Sequence, residues 1–462
     1  MNRERTENTE NNSGRIQQNK MGYMPCGRLL LTMALPMMLS MLVQALYNIV
    51  DSIFVARISE EALTAVSLAF PLQILLIAVS GGTGVGVNAR LSAKLGERSF
   101  EEVNLTAGNA LTLSLIFSLV MMSLGALCSG AYFNMMTPDP SIRHHGRDYL
   151  FYIMLFSPAL FFQMTLERLL QSTGKTFYSM ITQTTGAVIN IILDPILIFG
   201  LCGAPALGTK GAAIATVFGQ FVACMLALYF NMRFNTELKL ARRYLNLRRN
   251  VVLQIFAVGL PSIIMQSIGS VMNLGMNKIL LSFTATAAAV FGVYFKLQSF
   301  IFMPVFGLNN GVVPIMAYNF GARKPDRIKE TFRYGALYAV IIMAAGTVIF
   351  ELIPERLLSL FSASENMLQI GIPALRIIAV HFMLAGVSIV CMSAFQALGH
   401  GMLSLWVSLI RQLIVLLPTA FVLSKVIGLD GVWLAFPVAE VVSLTVSLIF
   451  IRRKVFRQID AM

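Results

Sequence analysis

Lys94-Leu95-Gly96-Glu97-Arg98 returns, 225 positions later, as Asn319-Phe320-Gly321-Ala322-Arg323. The same offset carries Leu35-Pro36 to Leu260-Pro261, Leu72-Gln73 to Leu297-Gln298, and Gly86 to Gly311. It also carries Gln171 and Gly174 to Gln396 and Gly399. Chance matches scatter over many offsets, so one shared offset marks a duplicated unit. Duplicated hydrophobic units are a common build for secondary transporters, with the substrate path between the halves.

The composition around the repeat is that of a membrane chain. Of 462 residues, 56% are hydrophobic and 12% charged, with a mean hydropathy of +0.73. A soluble domain carries roughly 25% charged residues. The apolar residues fall in twelve blocks, each near the ~20 residues that a bilayer core requires. The blocks are 29–56, 63–88, 104–130, 149–172, 177–200 and 210–232, then 251–282, 287–317, 333–353, 368–398, 403–424 and 430–451. The fold class predicted is therefore an all-α integral membrane protein with twelve transmembrane helices in two six-helix repeats. Helices 1–6 form an N-lobe over 28–232, and helices 7–12 form a C-lobe over 251–453. A basic linker, 233–250, joins them; polar tails, 1–27 and 454–462, flank them.

The net charge of +13 is distributed as a topology signal, not as a nucleic-acid surface. With both termini placed in the cytoplasm, 24 Lys and Arg residues fall on the inner side and 6 on the outer side. That bias is the positive-inside pattern of a plasma-membrane protein. The first block is too long for a signal-peptide core. The five cysteines are scattered, with no CxxC, so they indicate neither a disulfide framework nor a zinc site. His144-His145 is read as part of an outer loop beside Pro138 and Pro140. No nucleotide loop, nucleophile elbow or HExxH motif occurs, so no enzyme and no cofactor are expected. Uphill transport by such a chain draws on an ion gradient.

Charges within the blocks are costly and therefore informative. Helix rise puts Asp51 and Asp194 each about six residues, roughly 9 Å, from the outer helix ends. Thr216 lies at similar depth in helix 6. Tyr47 shares a face with Asp51, and Asn190 with Asp194, by i, i+4 spacing. Two carboxylates, an amide and a hydroxyl at one level suit a proton or a hard cation. The alternative is that both acids simply sit at wet helix ends.

Gln44-Ala45-Leu46-Tyr47-Asn48-Ile49-Val50-Asp51-Ser52 resembles the helix-1 signature of the multidrug and toxic compound extrusion (MATE) family. Asn190-Ile191-Ile192-Leu193-Asp194-Pro195 resembles its helix-5 signature, and Gly211-Ala212-Ala213-Ile214-Ala215-Thr216 its helix-6 start. The resemblance spans about 28 to 453. It implies two lobes in a V around a central cavity, and export of bulky apolar, often cationic, compounds against inward protons or sodium. The family's N-lobe cation site maps onto Asp51, Asn190, Asp194 and Thr216. There is one departure: helices 7 and 10 hold no acid, so a C-lobe sodium site of the kind some members carry is not expected. H+ is the preferred coupling ion, with Na+ the alternative.

The expected partners are the lipid bilayer and small-molecule drugs or metabolites, without nucleic acid, and the chain is expected to act as a monomer. Candidate cavity residues are Tyr47, Asn48, Gln163, Glu167, Gln171 and Lys296. Glu167 either meets a cationic compound or neutralises a basic neighbour, and Lys296 either faces the cavity or snorkels. Arg411 and Glu440 are read as a structural pair in the C-lobe. Pro36 and Pro261, at matching places in helices 1 and 7, are candidate hinges. A flippase for a lipid-linked or other amphipathic metabolite is the alternative function.

Overall fold

The computed structural model describes residues 19–361 and 363–462; of the expected tail, 1–27, residues 1–18 lie outside them, whereas Lys20–Gly22 form a packed helical turn and Cys26 opens helix 1. Among the described residues, every regular element is helical. Ten helices are each long and apolar enough to cross a bilayer, and two bent pairs do so together, giving up to twelve spans. Helices 1 to 3 are Cys26–Ala56, Glu60–Gly96 and Phe100–Met136. Helix 4 is the pair Pro140–Leu155 and Ser157–Ser172, followed by helix 5, Thr176–Phe199, and helix 6, Thr209–Arg233. Helices 7 to 9 are Arg249–Leu281, Ala285–Gly321 and Pro325–Leu352. Helix 10 is the pair Glu365–Ala379 and Phe382–Ala397, and helices 11 and 12 are Gly401–Val426 and Leu429–Asp460.

The duplication is written into the local geometry. Ser59 caps helix 2 by accepting from the Ala62 N–H, and Thr284, 225 positions on, caps helix 8 by accepting from Ala287. Arg98 and Arg323 both take left-handed backbone, at φ 60° and 52°, which costs a non-glycine residue about 1–2 kcal/mol. Each closes a hairpin by the same bond: Ser99 N–H to the Lys94 carbonyl at 3.0 Å, and Lys324 N–H to the Asn319 carbonyl at 2.9 Å.

Several helices run longer than their apolar blocks, and three features differ from the sequence reading in ways that matter. Helix 4 begins at Pro140, so Arg143, His144, His145 and Arg147 occupy helical turns and not a loop; Asp139 caps this helix with its side chain. Helices 4 and 10 bend by 47° and 48°. The first bend precedes Pro158, which lacks the N–H for an i−4 bond. The second falls at His381, the repeat equivalent of Phe156, with no proline at the break. Finally, residues 454–460 continue helix 12 and do not leave it as a tail.

The lobes touch along a seam in which helix 1 packs on helix 8 and helix 2 on helix 7. Small residues make the approach possible, in symmetric pairs. A Cβ on Gly96 would strike the Tyr318 carbonyl, and one on Gly321 would strike the Ala93 carbonyl. Gly86 abuts Ile255 as Gly311 abuts Ala34, and Gly82 abuts Ile263 as Gly307 abuts Met38. These approaches lie from mid-bundle to the end that carries the linker. Past them, Ile53 and Leu274 are exposed, and a Cβ on Gly292 would meet nothing. The lobes therefore converge at the linker end and part toward the other, forming a V.

Candidate functional site

Asp51 and Asp194 come together between helices 1 and 5 in the far half of the N-lobe. Their carboxyl groups lie within hydrogen-bonding reach of each other. Asp194 is fully buried. With its amide oriented so that Nδ2 faces the acid, the choice that satisfies both ends, Asn190, one turn back on helix 5, donates to Asp194 Oδ2 at 2.9 Å. Its Oδ1 accepts from the Thr216 hydroxyl of helix 6 at 3.1 Å. Tyr47 lies one turn before Asp51, in the neighbourhood of Thr216. The helix 5–helix 6 approach that permits this is tight, with Gly219 facing the Gly186 backbone.

Oδ1 of Asp51 and Oδ1 of Asp194 are both buried without a hydrogen-bond partner. Among the described residues, no Lys or Arg forms an ion pair with either acid. Two full charges at this spacing would repel by about 4 kcal/mol at 4 Å and an effective dielectric near 20. A shared proton turns that repulsion into a hydrogen bond, and a monovalent cation among the oxygens offsets it. No cluster of three or more His, Cys, Asp or Glu side chains exists among the described residues, so the oxygen donors beyond the two acids come from Asn190, Thr216 and Tyr47.

Two further residues border the pair. Tyr149 of helix 4 is buried within electrostatic range of both acids, and its hydroxyl accepts from Gln73 Nε2 of helix 2 at 2.7 Å. Sequence reading missed both: Tyr149 is the first residue of the fourth apolar block, 149–172, and Gln73 served only to set the repeat. Their depth becomes legible only once helix 4 is seen to start at Pro140.

The candidate cavity residues separate into different environments. Glu167 is only 5% exposed. Its Oε1 accepts from Gln163 at 3.0 Å and from Thr182 at 3.1 Å, and its Oε2 accepts from Gln183 at 3.0 Å. It lines no open cleft; three neutral donors hold it, it forms no ion pair among the described residues, and the Arg168 charge lies near enough to act on it through space. Gln171, 1% exposed, donates to Ser179 at 2.8 Å and is likewise no cavity residue. Arg168 turns to the other lobe, donating to Gln171 Oε1 and to Asn310 Oδ1, both at 2.8 Å. Lys296 is exposed, with its Nζ over the Phe361 ring, 5.8 Å from the centroid. Asn48 is exposed and Tyr47 half-buried.

Helices 1 and 7 run unbroken through Pro36 and Pro261. One turn after Pro36, the Ser40 hydroxyl donates to Gln183 Oε1 at 2.8 Å, so helix 1 joins the network that ends on Glu167. In the C-lobe, Arg411 Nη1 and Glu440 Oε2 form the expected pair at 3.6 Å, with Glu440 buried. The C-lobe positions equivalent to Asp51, Asn190, Asp194 and Thr216 are Met276, Val415, Thr419 and Val441. The acid site is therefore confined to one lobe.

Comparison with known proteins agrees with this architecture. The MatE family model matches residues 36–196 and again 261–422, two stretches that begin 225 positions apart. The chain belongs to this family of multidrug and toxic compound extrusion transporters and is a multi-pass membrane protein. It is 27% identical over 416 residues to the "FAD transporter" of Shewanella oneidensis, covering 90% of this chain and 92% of that one. It is 27% identical over 410 residues to the "Multidrug export protein MepA" of Staphylococcus haemolyticus, covering 88% and 89%. A solved structure described as an outward-facing conformation of a multidrug resistance MATE family transporter superposes with a TM-score of 0.91, at 24% identity, over 96% of this chain and 99% of that one.

Proposed function

We propose that this transporter exports bulky apolar or cationic compounds in exchange for protons, or for sodium, by alternating access between its lobes. The observation that carries the reading is the facing pair Asp51 and Asp194, each with one buried oxygen left unpartnered. A pair without a counter-cation needs one positive charge to be stable, and a proton is the preferred one. Taking it up or losing it changes how helix 1 sits against helix 5. Helix 1 also forms half of the seam with helix 8. Ion binding at the acids and contact between lobes therefore act on one rigid element, which is what a coupled exchanger requires. The relative named as a multidrug export protein supports the substrate class.

The excess of Lys and Arg at the linker end supports placing that end in the cytoplasm, and the bacterial relatives support a bacterial plasma membrane. A second reading, export of an amphipathic metabolite or flipping of a lipid-linked one, is favoured by the relative named for FAD.

The test is efflux of a fluorescent cation from right-side-out vesicles, with pH and sodium gradients imposed separately, for the wild type and Asp51→Asn. Transport that follows the pH gradient and vanishes in the variant supports the proton reading. Dependence on sodium alone changes the ion. A flavin dinucleotide arm that moves while no cation moves replaces the substrate class.

A further inference from the structure

We propose that the linker end of the seam holds a binding site for a phosphate group, carried by an anionic lipid headgroup or by a free phosphate ester. The proposal does not depend on the transport reading. An open, polar cleft of about 480 Å³ lies there between the lobes. Arg90 and Lys94 of helix 2 and Glu102 of helix 3 form its N-lobe wall, and Arg248, Arg249 and Gln254 at the start of helix 7 form its C-lobe wall. Four cationic side chains thus face one carboxylate.

That carboxylate is already engaged. Glu102 Oε2 accepts from Arg90 Nη2 at 2.6 Å. Arg90 is 8% exposed, and its Nε donates across the seam to Gln254 Oε1 at 2.9 Å. It forms a fixed floor joining the two lobes. Lys94 pairs with Glu97 at 2.7 Å, outside the pocket. Arg248 and Arg249 are exposed, and among the described residues neither guanidinium has an ion pair or a side-chain hydrogen bond. They stand at the start of a 33-residue helix with no acidic residue in its first turn and no side-chain cap. Positive charge there opposes the helix dipole, whereas an anion satisfies both the dipole and the free N–H groups.

The repeat supplies an internal comparison. The residues equivalent to Arg248 and Arg249 are Tyr23 and Met24. On that side of the seam, Arg327 donates to the Met21 carbonyl at 3.1 Å and to the Met24 carbonyl at 2.6 Å, and Lys324 donates to the Gly22 carbonyl at 2.7 Å. The cations there are met by the chain's own backbone. On the pocket side the cations sit on the entering segment itself, so the acceptors must come from outside. A phosphate fits because its oxygens take paired N–H donors from arginine and the point charge of lysine. Bound there, it ties helix 2 to helix 7 and favours the arrangement that is closed at the linker end.

The experiment uses the full chain in nanodiscs of phosphatidylcholine, with and without phosphatidylglycerol. Retained lipid is read by native mass spectrometry, and inorganic phosphate is titrated in parallel by thermal shift. Arg248→Gln with Arg249→Gln removes the pocket cations. Arg452→Gln with Arg453→Gln, an exposed pair on helix 12, makes the same charge change elsewhere. The wild type and the helix-12 variant are expected to bind, and the pocket variant to bind at least about tenfold more weakly. Lys94→Gln, from the opposite lobe, weakens binding too. Binding confined to phosphatidylglycerol assigns a headgroup, and stabilisation by phosphate alone assigns a free ester. No binding in either arm, equal binding by the pocket variant, or equal loss in the helix-12 variant overturns the proposal.

Discussion

The seam makes a quantitative prediction about alternating access. Gly96→Ala with Gly321→Ala places a methyl group at each of two symmetric cross-lobe contacts. At Gly96 the new Cβ would overlap the Tyr318 carbonyl oxygen and lie 2.9 Å from Ala322 N. At Gly321 it would overlap the Ala93 carbonyl oxygen and lie 2.8 Å from its carbon. Ordinary contact is 3.4–4 Å. Backbone carbonyls within helices cannot rotate away, so the helices must separate by roughly 1.5 Å at each point. Overpacking of this kind costs about 1–3 kcal/mol per site. Two sites together disfavour the arrangement closed at the linker end by about 2–6 kcal/mol. At about 1.4 kcal/mol per factor of ten, its population relative to the opened arrangement falls by roughly thirtyfold to ten-thousandfold. The assay is a spin-label distance between positions Glu97 and Arg249, with the exposed Cys128 and Cys202 replaced by serine. The distribution should gain a longer component, and gradient-driven efflux should fall, while helicity is unchanged because neither methyl group intrudes within a lobe. Gly292→Ala, where a Cβ meets nothing within 4 Å, should behave as wild type. An unchanged distance distribution in the double variant would refute the seam as the contact that holds the lobes closed.

Glu167→Gln keeps the shape but turns one acceptor into a donor facing Gln163, Thr182 and Gln183. It should lower stability by about 1–3 kcal/mol, seen as a lower thermal midpoint, with any residual transport keeping its gradient dependence. Arg411→Leu leaves Glu440 buried without its partner and should cost about 3–5 kcal/mol, whereas Arg411→Met with Glu440→Leu should recover most of it; equal losses in both would mean that the pair is not coupled. Pro36→Ala restores a backbone donor in helix 1, and coupled efflux at the wild-type rate would eliminate the hinge there.

Much of this protein was legible in one dimension. The common offset of Gly96 and Gly321, the long apolar blocks and the sidedness of Lys and Arg determined a duplicated twelve-helix membrane chain, because helix length, burial in lipid and loop charge are set by local composition. Asp51, Asn190, Asp194 and Thr216 could be placed at one depth because an α-helix converts residue count into distance. The sequence did not show which neighbours each polar group meets. Glu167 and Gln171 look like Gln163 in periodicity, yet lobe packing buries the first two against polar groups of helix 5: Glu167 accepts from Thr182 and Gln183, and Gln171 donates to Ser179. Tyr149 joined the acid pair only because helix 4 starts earlier than its hydropathy suggests. The break at His381 carries no proline, and the cavity beside Arg248 exists only because two lobes meet there. Side-chain identity fixes what a group needs; the crossing of helices from distant parts of the chain decides whether that need is met by protein, by an ion or by a ligand.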